Sequence, residues 1–425
     1  MSSRLPALVP VALLLIACGG SGDPPDAGST AASDIRAGGS SALATTDEPG
    51  ATSATEPPAT AEPATTSTAP TSTSIEPAPA PPSRALSEPG PYPVGVTTLA
   101  LPTGNAVEVW YPAAAGTVGE DTYDVRDFVP DAVRELLTAD IPASFTTPAA
   151  RDAPAADAPP SGFPVVAVSH GFASIRLASS FLTSHLASWG MVVVAPDHPA
   201  RDLASQLGGA VDAPPDPADD LAASIDLVIT AAAPGGPLEA SVDPDRIALV
   251  GHSAGGGTIV EVATVDDRVD GYVSMASGLL DDATAALPEV PSFYLAGDVD
   301  AVAPAAEQTR PAFEAAPPPS RFWLIEGAGH NAFDDFCTFG NGTGIIGIAE
   351  ASGLGGLLDA QPQFRLLGED GCVPPARPVE DTFPVIRHGV TGWLLDLFGT
   401  ADGESTDLGP GVGDLYGVTV EVETS

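Results

Sequence analysis

A chain of 425 residues has room for two or three domains, but 56 acidic side chains against 15 basic ones give a net charge of −41, and such a surface repels nucleic acid and anionic lipid head groups. Every one of the 15 basic residues is arginine, which excludes a Schiff-base lysine, a Ser-Lys dyad and a phosphate-loop lysine, so any activated serine must rely on histidine. No cofactor and no metal are expected, because the six histidines stand in six separate contexts and no Cys-x-x-Cys occurs.

Residues 1–18 carry Arg4 and then a nearly unbroken apolar run from Leu8 to Ala17. That run is too short for a bilayer, which needs ~20 residues, and suits the core of an export signal. It ends Leu15-Ile16-Ala17-Cys18 before Gly19-Gly20-Ser21, which resembles the bacterial lipoprotein signal, in which the cysteine is lipidated. The expectation is an extracytoplasmic protein tethered to the cell envelope through Cys18. Residues 19–88 are dominated by Ala, Pro, Ser, Thr, Gly and acids, with too little apolar volume to offset ordering entropy, and read as a disordered linker. Residues 89–400 suit one large α/β domain. Residues 401–425 read as an acidic tail.

Within that domain Val94 to Leu101 and Ala106 to Tyr111 are β-rich runs around the turn cluster Pro102-Thr103-Gly104-Asn105, an antiparallel hairpin at a sheet edge. The spacing predicts a helix over Phe128–Leu137 and a disordered insert over Ala149–Gly162. Pro164–Val168 is a continuous apolar run of the buried-strand kind. Strands then alternate with helices: helix Phe181–Trp189, strand Met191–Ala195, helix Pro217–Ala233, strand Ile247–Val250, helix Ala254–Val262, and strands Gly271–Met275, Ser292–Ala296 and Arg321–Ile325. An amphipathic helix over Thr382–Phe398 closes the series. Such alternation signals a mostly parallel, doubly wound sheet with helices on both faces.

One stretch organises the chemistry. Ile247-Ala248-Leu249-Val250 runs into Gly251-His252-Ser253-Ala254-Gly255, a G-x-S-x-G elbow whose glycines let strand and helix approach while the serine hydroxyl is lifted clear of the sheet. Ser253 needs a base, and the base needs an acceptor. Only His330 and His388 lie beyond it; His388 falls inside the amphipathic last helix, where a half-buried or surface histidine is ordinary, whereas His330 follows the strand Arg321–Ile325 and is the expected base. Asp300 and Asp298 compete for the acid, in Gly297-Asp298-Val299-Asp300; Asp300 fits the usual offset from glycine and Asp298 suits a turn cap. The oxyanion donors expected are the backbone N–H groups of Ala254 and Phe172, with His170 holding its loop. Cys337 and Cys372 are an even pair in an oxidising compartment, where a disulfide is expected.

Taken together, Gly90-Pro91-Tyr92-Pro93, Val109-Trp110-Tyr111-Pro112, Ser169-His170-Gly171-Phe172, Leu186-Ala187-Ser188-Trp189-Gly190, Gly251-His252-Ser253-Ala254-Gly255 and Gly327-Ala328-Gly329-His330 resemble the platelet-activating-factor acetylhydrolase and dienelactone-hydrolase-like branch of the α/β-hydrolases, near the cutinase-type polyester hydrolases. Dienelactone hydrolases proper use cysteine as nucleophile, and serine at 253 argues against that chemistry. The resemblance implies a serine esterase acting on a small-molecule or lipid ester through Ser253, His330 and Asp300. A peptidase or amidase on the same fold, and a surface binding protein that has lost its chemistry, are the competing readings. Residues 147–161 and 340–375 depart from the compact polyester-hydrolase pattern, which argues against a flat, open cleft.

Overall fold

The computed structural model describes residues 86–425 apart from 139, 240, 279–286 and 402–405. The signal, Cys18 and most of the linker lie outside the described residues. In chain order the strands are β1 Val94–Ala100, β2 Ala106–Pro112, β3 Asp121–Asp124, β4 Ser144–Thr147, β5 Ala150–Arg151, β6 Phe163–Ser169, β7 Val192–Pro196, β8 Val242–His252, β9 Val269–Met275, β10 Ser292–Gly297, β11 Ser320–Ile325 and β12 Val420–Thr424. The helices are α1 Asp131–Arg134, α2 Ser180–Ser188, α3 Pro217–Ala231, α4 Ala254–Val265, α5 Thr309–Ala315, α6 Phe339–Gly342, α7 Gly344–Ala351, α8 Gly355–Ala360, α9 Pro362–Glu369 and α10 Val379–Phe398.

Ten strands form one sheet in the order β12-β11-β10-β9-β8-β6-β7-β2-β1-β5. From β7 to β11 it is parallel, with β2 antiparallel to β7 and β1 antiparallel to β2. Both faces are buried, and strict alternation sends Val165 and Ala167 of β6 into one core cluster and Val166 and Val168 into the other. Helices α3, α4 and α5 cover the first face, and α2 and α10 the second. This is the α/β-hydrolase fold that the sequence resemblance implies, and it delivers the loops after β6, β8, β10 and β11 to one edge, the carboxyl ends of parallel strands.

Four expectations need correction. The helix foreseen over Phe128–Leu137 is broken: Val125–Phe128 is a 3₁₀ turn, Val129 is extended, and only Asp131–Arg134 is helical, because proline at 130 disfavours helical angles in the residue before it. Ala149–Gly162, read as disordered, is laid against the sheet edge: Ala150 pairs with Gly95, Asp152 N–H donates to Val96 O at 2.8 Å, and the Tyr111 hydroxyl donates to Ala153 O at 2.7 Å. Its order comes from the sheet's free backbone edge and from Arg151, which pairs with fully buried Glu108 at 2.8 Å. The tail contains β12, which pairs antiparallel with β11 and caps the opposite edge; the alternation Val418-Thr419-Val420-Glu421-Val422-Glu423 was its signal. His388 is fully buried, its Nε2 on Asp407 O at 2.8 Å.

Candidate active site

Ser253 stands at the junction of β8 and α4 with φ 54° and ψ −124°, a region that a non-glycine residue enters only when its surroundings compel it. The glycines are what compel it. A Cβ on Gly251 would lie 2.3 Å from Gly255 O, and one on Gly255 would lie 2.0 Å from Ser169 O. Strand, helix and the neighbouring β6 therefore meet backbone to backbone. Ser253 N–H donates to Met275 O at 2.9 Å, fixing the tip while the side chain stays partly exposed. Ala254 is the first residue of α4, so its amide has no acceptor within the helix.

His330 follows β11 and is buried, and its Nδ1 lies 3.0 Å from Asp300 Oδ2. The Asp300 carboxylate also accepts from Val302 N–H at 2.9 Å and Ala303 N–H at 2.6 Å. Burial pushes this carboxyl up, but the His330 hydrogen bond and charge and the Ala303 amide outweigh it and hold the group below the usual range. Asp298, expected to cap its own turn, instead reaches the loop after β11, where its Oδ1 accepts from Gly327 N–H at 2.6 Å. His330 Nε2 is buried without a hydrogen-bond partner among the described residues, leaving that ring edge available for a serine or substrate proton.

Three further groups hold the imidazole, and of these only the disulfide was found from the sequence. Asp370 receives His330 N–H at 2.7 Å on one oxygen and Ala301 N–H at 2.8 Å on the other, so one carboxylate ties the histidine loop to the acid loop. His252 Nε2 donates to His330 O at 3.1 Å; burial lowers its pKa to about 3, so it is neutral, and its Nδ1 faces Asp334 at 3.7 Å, whose own carboxyl burial pushes well up. The Cys337–Cys372 disulfide forms as expected, bringing Asp370 back beside His330. Asp370 lies forty residues from the histidine, and no local pattern marks it.

The loop after β6 runs along the nucleophile: a Cβ on Gly171 would lie 3.2 Å from Ser253 Cβ. Phe172 follows and is 42% exposed, and Ala173 has φ 54°. Half-buried Arg201 clamps this loop by donating to Ser169 Oγ and His170 O, both at 2.7 Å, and to Thr258 Oγ1 at 2.7 Å. His170 is structural, as expected: its Nε2 accepts from His198 N–H at 3.1 Å and its Nδ1 meets Gly171 O at 2.8 Å. Ser169 Oγ also lies 2.9 Å from His198 Nε2, with Asp220 3.5 Å from Nδ1, a second Ser-His-Asp array. Ser169 and His198 are both fully buried. A depression of about 580 Å³ lined by Tyr92, Phe163, Trp189 and Arg246 lies by the start of β6, away from these loops.

Two family models match the chain: "PET hydrolase-like" over residues 155–352 and "Platelet-activating factor acetylhydrolase, isoform II" over residues 90–216. The first span holds Ser253, Asp300 and His330. Similar curated proteins include Cutinase 2 of Thermobifida cellulosilytica, 26% identical over 169 residues, which are 39% of this chain and 60% of that protein. Cutinase cut1 of Thermobifida fusca is 26% identical over 39% of this chain and 49% of its own length, and Cutinase est1 of Thermobifida alba is 24% identical over 36% and 47%. The chain thus spans about half the length of the curated relatives it matches. With the sheet order and the elbow, which give the α/β-hydrolase fold, these matches make the chain similar to the PET hydrolase-like and platelet-activating-factor acetylhydrolase proteins over the parts they cover.

Proposed function

We propose that the chain is a carboxylic ester hydrolase that works through an acyl-enzyme, and the observation that carries this reading is the His330–Asp300 pair at 3.0 Å with a free, buried Nε2. Ser253 Oγ attacks the ester carbonyl as its proton passes to His330 Nε2. Asp300 holds Nδ1–H and balances the imidazolium. The oxyanion sits between the amides of Phe172 and Ala254, which are set before charge develops. Collapse of the tetrahedral species expels the alkoxide, which takes the proton back from His330. Water then enters by the same route in reverse, releasing the acid and restoring Ser253. No hydrogen bond joins Ser253 to His330 among the described residues, and substrate commonly tightens such geometry.

The Ser169–His198–Asp220 array is assigned a structural role. Burial and Arg201 keep His198 well below the usual histidine range, burial raises the Asp220 carboxyl, and Arg201 already occupies the serine oxygen. A serine with no exposed surface cannot meet a carbonyl. Labelling with a fluorophosphonate tests the assignment: Ser253 is modified, Ser169→Ala leaves labelling intact, and Ser253→Ala abolishes it together with p-nitrophenyl acetate hydrolysis. Label found on Ser169, or activity surviving Ser253→Ala, would sink it.

Location follows the same reading. The disulfide suits an oxidising, extracytoplasmic compartment, and lipid on Cys18 would tether the domain to the envelope. Cys18→Ser should then move the protein from the membrane fraction to the soluble one with turnover unchanged; retention in the membrane would remove the anchor.

A further inference from the structure

A cavity of about 230 Å³ opens beside the oxyanion loop, and among its twenty lining residues only Gln206 and Gln361 carry polar side-chain atoms. It exceeds the ~150 Å³ apolar cavity known to hold a benzene. Its walls come from Val125 to Leu137 on one side and, on the other, from α7, α8 and α9, which lie in the 340–375 stretch that departs from the compact pattern. Both machinery loops contribute. Ala173 is the residue after the Phe172 donor, and Phe336 lies six residues past His330. Leu357, which also lines it, is 50% exposed, and exposed Phe172 stands one residue from Ala173. Apolar side chains thus line the space that begins at Ala173, next to the oxyanion loop.

We infer that this cavity is the acyl-chain site, and that the substrate is an ester of an unbranched, medium-length aliphatic acid. The inference rests on the ester-hydrolase reading and narrows it. An acyl carbonyl whose oxygen lies between the Phe172 and Ala254 amides sends its chain past Ala173. The lining offers no cation for a carboxylate and no row of donors for a sugar, so only hydrocarbon gains by entering. Each methylene moved from water into such a site is worth about a fourfold gain. A rigid aromatic polyester cannot follow a channel walled by three helices.

The test is kcat/KM across p-nitrophenyl esters from acetate to palmitate, with emulsified trioctanoylglycerol and an aromatic polyester film alongside, for the wild type and for Ala349→Trp and Leu358→Trp, two half-buried lining positions whose melting is checked first. The expected result is a rise of about 100-fold or more from acetate to octanoate. Each tryptophan should cut the octanoate-to-acetate ratio by at least about tenfold. Hydrolysis of trioctanoylglycerol would mark a lipid source, and octanoate cleavage confined to the soluble ester a free one. Acetate cleavage with no rise along the series, ratios unmoved in a folded variant, or faster release from the film than from octanoate would overturn the chain site while leaving the hydrolase reading standing. Failure on every ester, with Ser253 unlabelled by fluorophosphonate, would overturn both.

Discussion

Two aspartates in one loop compete to orient His330, and their hydrogen bonds separate them. Asp300 touches the imidazole and accepts two loop amides, while Asp298 spends its oxygen on Gly327 N–H. Asp300→Asn keeps the shape but turns an acceptor into an ambiguous amide, which allows the wrong imidazole tautomer. Turnover on p-nitrophenyl acetate should fall by about 10⁴-fold. Asp298→Asn retains an oxygen for the Gly327 amide and should stay within about tenfold. Steady-state kinetics on both variants checks the ranking, and the reverse order would move the orienting role to Asp298.

At the scale of elements, helices α6–α9 leave the histidine loop and return to it, closed by Cys337–Cys372, and Asp370 sits just before the returning cysteine. Gly329 is required where they meet, since a Cβ there would lie 2.5 Å from Asp370 Oδ1. Asp370 is a positioning residue. Asp370→Asn sets an amide group against one of two N–H donors, and a shift well under 1 Å in His330 can cost up to 10²-fold. We expect kcat to fall by about 10- to 100-fold with KM within about twofold; a lower melting temperature with kcat intact would reduce Asp370 to a structural brace. Reduction of the disulfide removes about 3 to 4 kcal/mol by the chain-entropy account of a 35-residue loop. It should lower turnover at temperatures below melting, whereas unchanged turnover would show that packing alone holds His330. This region marks the limit of the sequence. The elbow, His330 and the strand-helix alternation are local patterns, and β6 to β11 were legible from apolar runs and glycines. Asp370, Arg201 and Asp334 act across long separations and carry no periodic signal. The ordered 149–162 segment depends on a free sheet edge that exists only after folding.

For the molecule as a whole, the 56 acidic residues against 15 arginines make stability a function of pH, and the buried carboxyls give the dependence its sign. Asp335 is buried with its carboxylate on Phe181 N–H at 2.8 Å; burial raises its pKa to about 7, against the opposing pull of that amide and of Arg387. Burial raises the Asp334 carboxyl beside it as well. An unfolded aspartate titrates near 4. Between about pH 4 and 7 the folded chain therefore holds protons that the unfolded chain has lost, so stability from these groups is full near pH 4 and declines as pH rises through 7. Asp300 works in the opposite sense, because its lowered pKa gives stability that is present above the unfolded value and lost only as pH falls below it. Self-repulsion among the surface acids adds to the decline toward alkaline pH and is screened by salt. The melting temperature should accordingly be higher at pH 5 than at pH 8 by several degrees. Asp335→Asn should shrink that difference at high salt, where surface repulsion no longer contributes. Calorimetry on wild type and variant in 1 M NaCl decides it: equal pH dependence in the two proteins would mean that Asp335 is ionised in the fold, and that its burial is balanced by Arg387 and the α2 amides instead of by a proton.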